Sequence, residues 1–100
     1  FIHNSYKNGG DKIVPGFMEF YSQIRPNDQV VLITARLEEF KECTLEALKA
    51  HKIRYDHIIF DVPKGERVLI NDDKPGGVQT ALAIRITRDA FPACEITRNA

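Results

Sequence analysis

The stretch Val30-Val31-Leu32-Ile33-Thr34 is a continuous apolar run, rich in β-branched residues, that ends on a hydroxyl side chain. Runs of this kind are typical of strands buried on both faces, as in a parallel sheet. A second such run, His57-Ile58-Ile59-Phe60, follows it along the chain. Residues 38–51 between them place apolar side chains on one side of a helix and acidic side chains on the other. A helix between two buried strands predicts a right-handed crossover and an α/β sheet.

Further elements are predicted on both sides of this unit. A helix begins at Pro15 and ends before Pro26, with aromatic side chains at helical spacing between the two prolines. A third strand is predicted over residues 67–70. A fourth strand over residues 82–86 alternates between apolar and other side chains, which favours an edge position, and a short helical piece precedes it at residues 79–81.

The length of 100 residues predicts one modest domain, with a loop-rich lead-in over residues 1–14 and a loosely packed tail over residues 88–100. The 14 basic and 14 acidic side chains cancel, which argues against a broad electrostatic surface for nucleic acid and leaves only a local basic patch open. No apolar run has the length of a membrane span, and no signal-peptide pattern opens the chain. Cys43 and Cys94 lack metal-site spacing and indicate thiols in a reducing cytosol, so we expect a cytoplasmic protein.

Two adjacent carboxylates in Asn71-Asp72-Asp73-Lys74-Pro75 come directly after the apolar run of residues 68–70. Like charges this close disfavour joint ionisation unless a cation or a hydrogen-bond donor neutralises them. Mg²⁺ is the usual partner of such a pair, because it prefers oxygen ligands. The alternative is a polar turn, because Asn, Asp and Pro all form turns and Gly76-Gly77 follows.

Polar features fall at or just after the carboxyl ends of the predicted strands, where open α/β sheets bind their ligands. They are Thr34, Lys64 and the pair Asp72-Asp73. Thr34 can donate a hydrogen bond to an anion, and Lys64 supplies a compact positive charge for phosphate. Backbone N–H groups just past Thr34, beginning with Ala35, add anion affinity.

Each of these features also has a purely structural interpretation. Thr34 can cap the helix that follows it, and Lys64 can be a solvated loop lysine. Arg36 is expected to pair with Glu39 at the surface. None of the three histidines stands at ligand spacing from a Cys or an Asp, so we predict no metal role for any of them.

The polar features and their flanking residues follow one another in the same order as the motifs of a known protein family. Leu32-Ile33-Thr34-Ala35-Arg36, Pro63-Lys64-Gly65 and Leu69-Ile70-Asn71-Asp72-Asp73 resemble the second, third and fourth motifs of the haloacid dehalogenase superfamily. The resemblance covers residues 15–86 and includes the helices before and after the second motif. It implies a Rossmann-like, mostly parallel sheet with flanking helices. A response-regulator receiver has similar residue types, but its acidic pair comes first.

Most members of the superfamily are phosphatases that work through an aspartyl-phosphate. By this resemblance Thr34 and Ala35 bind the transferring phosphoryl group, and Lys64 steadies the negative charge shared by nucleophile and phosphate. Asp72, helped by Asp73, anchors Mg²⁺. The implied activity is Mg²⁺-dependent hydrolysis of a phosphomonoester, either a small molecule or a larger one, since the segment leaves little room for a bulky cap.

The first motif of the superfamily, an apolar strand that ends in Asp-x-Asp, does not occur in these 100 residues. Asp11 lacks a preceding strand and Asp61 stands at the wrong place in the motif order, so neither is assigned as the nucleophile. In the superfamily that strand lies between the strands that end here at Thr34 and Asp72. We expect it to lie upstream in a longer protein, to come from another chain or a swapped copy, or to be replaced by residues 1–4.

Two other functions remain open at this point. The first is a non-catalytic module that binds phosphate or a nucleotide. The second is an interaction domain whose exposed sheet edge recruits a partner strand or a second copy.

Overall fold

The computed structural model describes residues 12–86, 91, 93–96 and 98. Helix α1 spans Phe17–Tyr21 and strand β1 spans Val31–Ile33. A 3₁₀ turn at Glu38–Phe40 leads into helix α2, Lys41–Ala50, and strand β2 spans His57–Ile59. Helix α1 is shorter than the segment between the two prolines, because a turn precedes it and Ser22 already closes its last turn.

The two strands pair in parallel, with Val31 opposite His57 and Ile33 opposite Ile59. The ladder continues one step further, since the N–H of Thr34 donates to the carbonyl oxygen of Ile59 at 2.9 Å. Helix α2 makes the connection between them, as a parallel pair requires. The predicted α/β class is therefore confirmed at the level of one strand–helix–strand unit.

The core lies on one side of this pair of strands. Helix α2 contributes Leu48 and Thr44, each only 3% exposed, and the loops contribute Val14 and Ile53. Phe60, directly after β2, completes the buried set. Two of these five buried residues belong to α2, and burying a side chain such as Leu48 stabilises the fold by about 1.5–3 kcal/mol.

The opposite side of the sheet is open among the described residues. Val31, Ile33 and Ile59 share that face and are about half exposed. The prediction that both strands are buried on both faces is wrong for this part of the chain. The reason is physical: a parallel sheet is buried on both faces only when helices cover both, and in the described residues the helical cover comes from one crossover.

The predicted strands at residues 67–70 and 82–86 do not form, and residues 79–81 are not helical. Val68, Leu69 and Ile70 instead have no regular secondary structure and are 83%, 70% and 90% exposed. A strand needs a hydrogen-bonded neighbour, and the described residues beyond 66 provide one at a single point only, the antiparallel bridge between Lys74 and Val78.

The described residues between 91 and 98 pack on α1 and the loop after it, unlike the loose tail predicted from the sequence. The Phe91 ring contacts those of Phe17 and Phe20, at centroid distances of 5.7 and 5.1 Å. The Gln23 amide donates to the carbonyl oxygen of Cys94 at 2.8 Å and accepts the N–H of Ile96 at 2.7 Å. The rest of the predicted tail, and residues 1–11 of the predicted lead-in, lie outside the described residues.

Arginine side chains hold the loops at the amino ends of both strands. Arg54 donates to the carbonyl oxygens of Arg25 and Asp28 at 3.0 and 3.1 Å. Arg98 reaches the Asp28 carboxylate with two hydrogen bonds of 2.8 and 3.0 Å. That contact, and next the backbone N–H of Arg25, lower the pKa of Asp28 to about 2. The loops before β1 and β2 and the side chain of Arg98 therefore meet at Asp28.

Candidate functional site

Thr34 lies at the carboxyl end of β1, as the sequence predicts. Its carbonyl and hydroxyl oxygens both accept hydrogen bonds from nearby backbone N–H groups. Its carbonyl oxygen accepts the N–H of Val62 at 3.1 Å, and its hydroxyl oxygen accepts the N–H of Arg36 at 3.1 Å. The residue before the 3₁₀ turn is Leu37, so the interpretation of Thr34 as a helix cap is wrong. A threonine hydroxyl that accepts one hydrogen bond keeps its own proton for donation to a ligand.

The segment after Thr34 is tied to both the helix and the second strand. Arg36, which was expected to pair with Glu39, donates from its guanidinium to the hydroxyl of buried Thr44 at 3.0 Å. Its carbonyl oxygen accepts the N–H of Asp61 at 2.8 Å. Ala35 is exposed at the same edge of the sheet.

Asp61 has a structural role that the sequence pattern does not predict. It has a left-handed backbone with φ of 59°, which Asp tolerates better than most residues. Its carboxylate accepts the N–H of Glu38 at 3.2 Å and so caps the first turn of the helical segment from the loop after β2. The available signal was an Asp directly after an apolar run, but its partner lies 23 residues away in the chain.

Lys64 lies on the exposed loop that follows β2. The start of that loop is anchored at Thr34 through Val62, two residues before Lys64. The guanidinium of Arg67 braces the loop, donating to the carbonyl oxygens of Pro63 and Gly65 at 3.1 and 2.8 Å. Thr34 and the Lys64 loop are therefore brought to the same edge of the sheet.

Asp72 and Asp73 are exposed and lie just before a turn. The amide of Asn71 donates to the carbonyl and hydroxyl oxygens of Thr80 at 3.1 and 3.0 Å, and the Thr80 hydroxyl donates to the main-chain oxygen of Asp72. The polar-turn interpretation is thus correct for the residues that follow the pair. In the part of the chain that is described, no hydrogen bond or ion pair joins either aspartate to Thr34 or Lys64.

The carboxylate oxygens of Asp72 and Asp73 are ligands of the type that Mg²⁺ prefers. Mg²⁺ is commonly held by one or two carboxylates, with water and substrate phosphate completing its shell, and Asp72 and Asp73 supply two carboxylates. The described residues contain no group of three or more His, Cys, Asp or Glu side chains placed to hold a metal ion.

No protein-family model, curated protein or solved structure matches this chain. Within the described residues, no helix is long and apolar enough to cross a membrane.

Proposed function

We propose that this chain carries the phosphate- and metal-binding motifs of a Mg²⁺-dependent phosphomonoester hydrolase of haloacid dehalogenase type, built on a Rossmann-like sheet. One observation carries the proposal. β1 and β2 are adjacent and parallel, and the hydrogen bond from Val62 to Thr34 joins their carboxyl ends, where Thr34 is followed by Ala35 and the Lys64 loop begins. Ligands of open α/β sheets bind at that edge.

Each residue has a specific role in the proposed site. The Thr34 hydroxyl and the Ala35 N–H donate hydrogen bonds to phosphoryl oxygens, while the Lys64 ammonium balances their charge. Asp72 and Asp73 hold Mg²⁺, which when bound neutralises charge on the same phosphoryl group. Arg36 and Asp61 act indirectly, because their contacts hold the segment that follows Thr34.

Residues 68–70 are apolar and exposed, which supports the proposal that a further strand lies beside them. In the proposed sheet a strand that ends in Asp-x-Asp pairs with β1 on one side and with residues 68–70 on the other. Such a strand gives both edges a hydrogen-bonding partner. Its first aspartate is the nucleophile, and its second is the general acid and base.

A titration with inorganic phosphate and Mg²⁺, followed by amide chemical shifts, tests the binding part of the proposal. We expect Thr34, Ala35 and Lys64 to respond to phosphate, and Asp72 and Asp73 to respond to Mg²⁺. Lys64→Met should weaken phosphate binding about tenfold, whereas Lys49→Met, on the exposed side of α2, should leave it unchanged. Equal losses in both variants would mean that phosphate is held by general positive charge and not by this site.

The Mg²⁺ arm of the titration has its own matched pair. Asp72→Asn removes a proposed ligand and should weaken Mg²⁺ binding, whereas Glu66→Gln removes the same charge from the preceding loop and should not. If Asp72→Asn binds Mg²⁺ as the wild type does, the assignment of the acidic pair is wrong.

The second candidate function is a non-catalytic module that binds phosphate or a nucleotide. It requires only Thr34 and the Lys64 loop, which the hydrogen bond from Val62 to Thr34 joins. It predicts the same phosphate response at Thr34 and Lys64, but no hydrolysis when a nucleophile strand is supplied.

A further inference from the structure

The described residues between 91 and 98, which we call the Phe91 strap, lie against α1 and the loop that follows it. Their described hydrogen bonds, ion pair and ring contacts all go to residues 15–28. None of the described strap residues belongs to a helix or a strand. Residues 15–28 therefore form a binding surface for a segment that is distant in the sequence.

The middle of the strap is bound through its backbone. The Gln23 amide donates to the carbonyl oxygen of Cys94 and accepts the N–H of Ile96, at 2.8 and 2.7 Å. A neighbouring strand offers the same groups, since each of its residues has one donor and one acceptor. Exposure alternates between exposed and half-buried along residues 93–96, as on a strand with one face against a surface. This contact recognises a strand-like backbone and requires no particular side chain.

Side chains fix the two ends of the strap. The Phe91 ring contacts Phe17 and Phe20 on α1, and aromatic pairs at such distances add specificity to the area that they bury. Arg98 donates two hydrogen bonds to the Asp28 carboxylate, a geometry that favours arginine over lysine. The surface therefore suits a strand-like segment that begins with an aromatic residue and ends with an arginine.

The connection between the strap and the strand–helix–strand unit is exposed. Every residue in the range 63–86 except Thr80 is exposed, and the bridge between Lys74 and Val78 is the one pairing described there. The unit keeps its own hydrogen bonds when the strap leaves, because the described bonds of the strap go elsewhere. A flexible tether holds a segment near its site at a local concentration on the order of millimolar, which a tightly binding competitor overcomes.

We propose that residues 15–28 form a peptide-binding surface and that the Phe91 strap occupies it as a releasable internal ligand. The external ligand is a strand-like segment of a partner protein, with an aromatic residue at its start and an arginine at its end. The strap excludes that segment until it opens. The proposal does not rest on the hydrolase, because Asp28 lies at the amino end of β1 and the proposed phosphate site lies at the carboxyl end.

Peptide binding to the full chain tests the proposal. The probe is a fluorescent synthetic peptide with the sequence of residues 91–98, followed by anisotropy under reducing conditions. Phe91→Ala together with Arg98→Glu loosens the strap and should tighten peptide binding about tenfold or more over wild type, because the internal competitor is lost. Glu95→Lys makes a charge change of the same size at an exposed strap position, and it should bind the peptide as wild type does.

A second pair of variants tests the binding surface itself. In the loosened chain Gln23→Leu keeps the size of the side chain but removes both amide hydrogen bonds, so it should weaken peptide binding about tenfold. Glu19→Gln, at an exposed position on α1, should leave binding unchanged. The amide signal of Thr34, which is hydrogen-bonded to β2, should show that the sheet stays formed in each variant.

Hydrogen exchange of the wild-type chain tests release of the strap. The N–H of Ile96 should exchange at least about tenfold faster than that of Thr34, because opening the strap does not require unfolding of the sheet. Equal exchange rates would show that the strap opens only with the whole chain and would overturn its release. The peptide-binding surface is overturned if the loosened chain binds the peptide no better than wild type, or if Gln23→Leu leaves that binding unchanged.

Discussion

Residues 30–33 and residues 68–70 are apolar runs of the same kind, but they have different structures. The first forms β1, because α2 carries the chain back and places β2 beside it. The second forms no strand and is exposed, because the one bridge described in this part of the chain lies beyond it, between Lys74 and Val78. Apolar and β-branched composition therefore specifies a tendency to pair, and the connection determines whether a partner is present.

The largest expected difference between the two regions is in stability. Leu48→Ala should lower the free energy of unfolding by about 2–5 kcal/mol, because it opens a cavity under the strands. Ile70→Ala should change it by no more than about 0.5 kcal/mol at concentrations where the chain is monomeric, because Ile70 is exposed. Urea denaturation of both variants measures the difference. Comparable losses would mean that residues 68–70 pack on the core, and would contradict the difference drawn between the two regions.

Two glycines with almost the same backbone angle sharpen the comparison. Gly16 and Gly76 have φ of 89° and 91°, but a Cβ on Gly16 would collide with the carbonyl oxygen of Phe91, and a Cβ on Gly76 would meet no atom. Alanine costs about 1–2 kcal/mol for this angle alone, and overpacking costs about 1–3 kcal/mol more. Thermal unfolding should therefore show a larger loss for Gly16→Ala, and equal losses would show that Phe91 does not pack on Gly16.

The smallest expected effect is the acid sensitivity of the contact between Asp28 and Arg98. The pKa of Asp28 lies at about 2, below its ordinary value of 3.8, so its carboxylate contributes stability that is complete only well above pH 3.8. That contribution is lost as the pH falls toward 2. Arg98→Met should move the Asp28 pKa back toward its ordinary value in a carboxyl NMR titration. An unchanged titration would place the cause of the shift elsewhere.

The strand–helix–strand unit could be predicted from the sequence because its determinants are local. The apolar side of residues 38–51 and the two flanking runs specify the crossover without help from distant residues. Thr34 and Lys64 could be placed at one edge for the same reason, since the carboxyl ends of adjacent parallel strands lie together.

The rest depended on contacts between residues far apart in the chain. The capping of Glu38 by Asp61 and the contacts of Arg98 with Asp28 join residues separated by 23 and 70 positions, and no local pattern identifies such partners. The failure of residues 67–70 to form a strand has the same origin. The spacing of apolar side chains and the β-propensity are properties of one segment. Neither shows whether another strand lies beside that segment.

Hydrolysis upon addition of a strand tests the proposed function most directly. A synthetic apolar strand peptide that ends in Asp-x-Asp is added with Mg²⁺ and a generic phosphomonoester, and its insertion is followed through the amide signals of β1 and residues 68–70. We predict phosphate release that is lost when the first peptide aspartate is replaced by asparagine, and lost again with Lys64→Met. Insertion of the peptide without any phosphate release would contradict the hydrolase and favour a binding module.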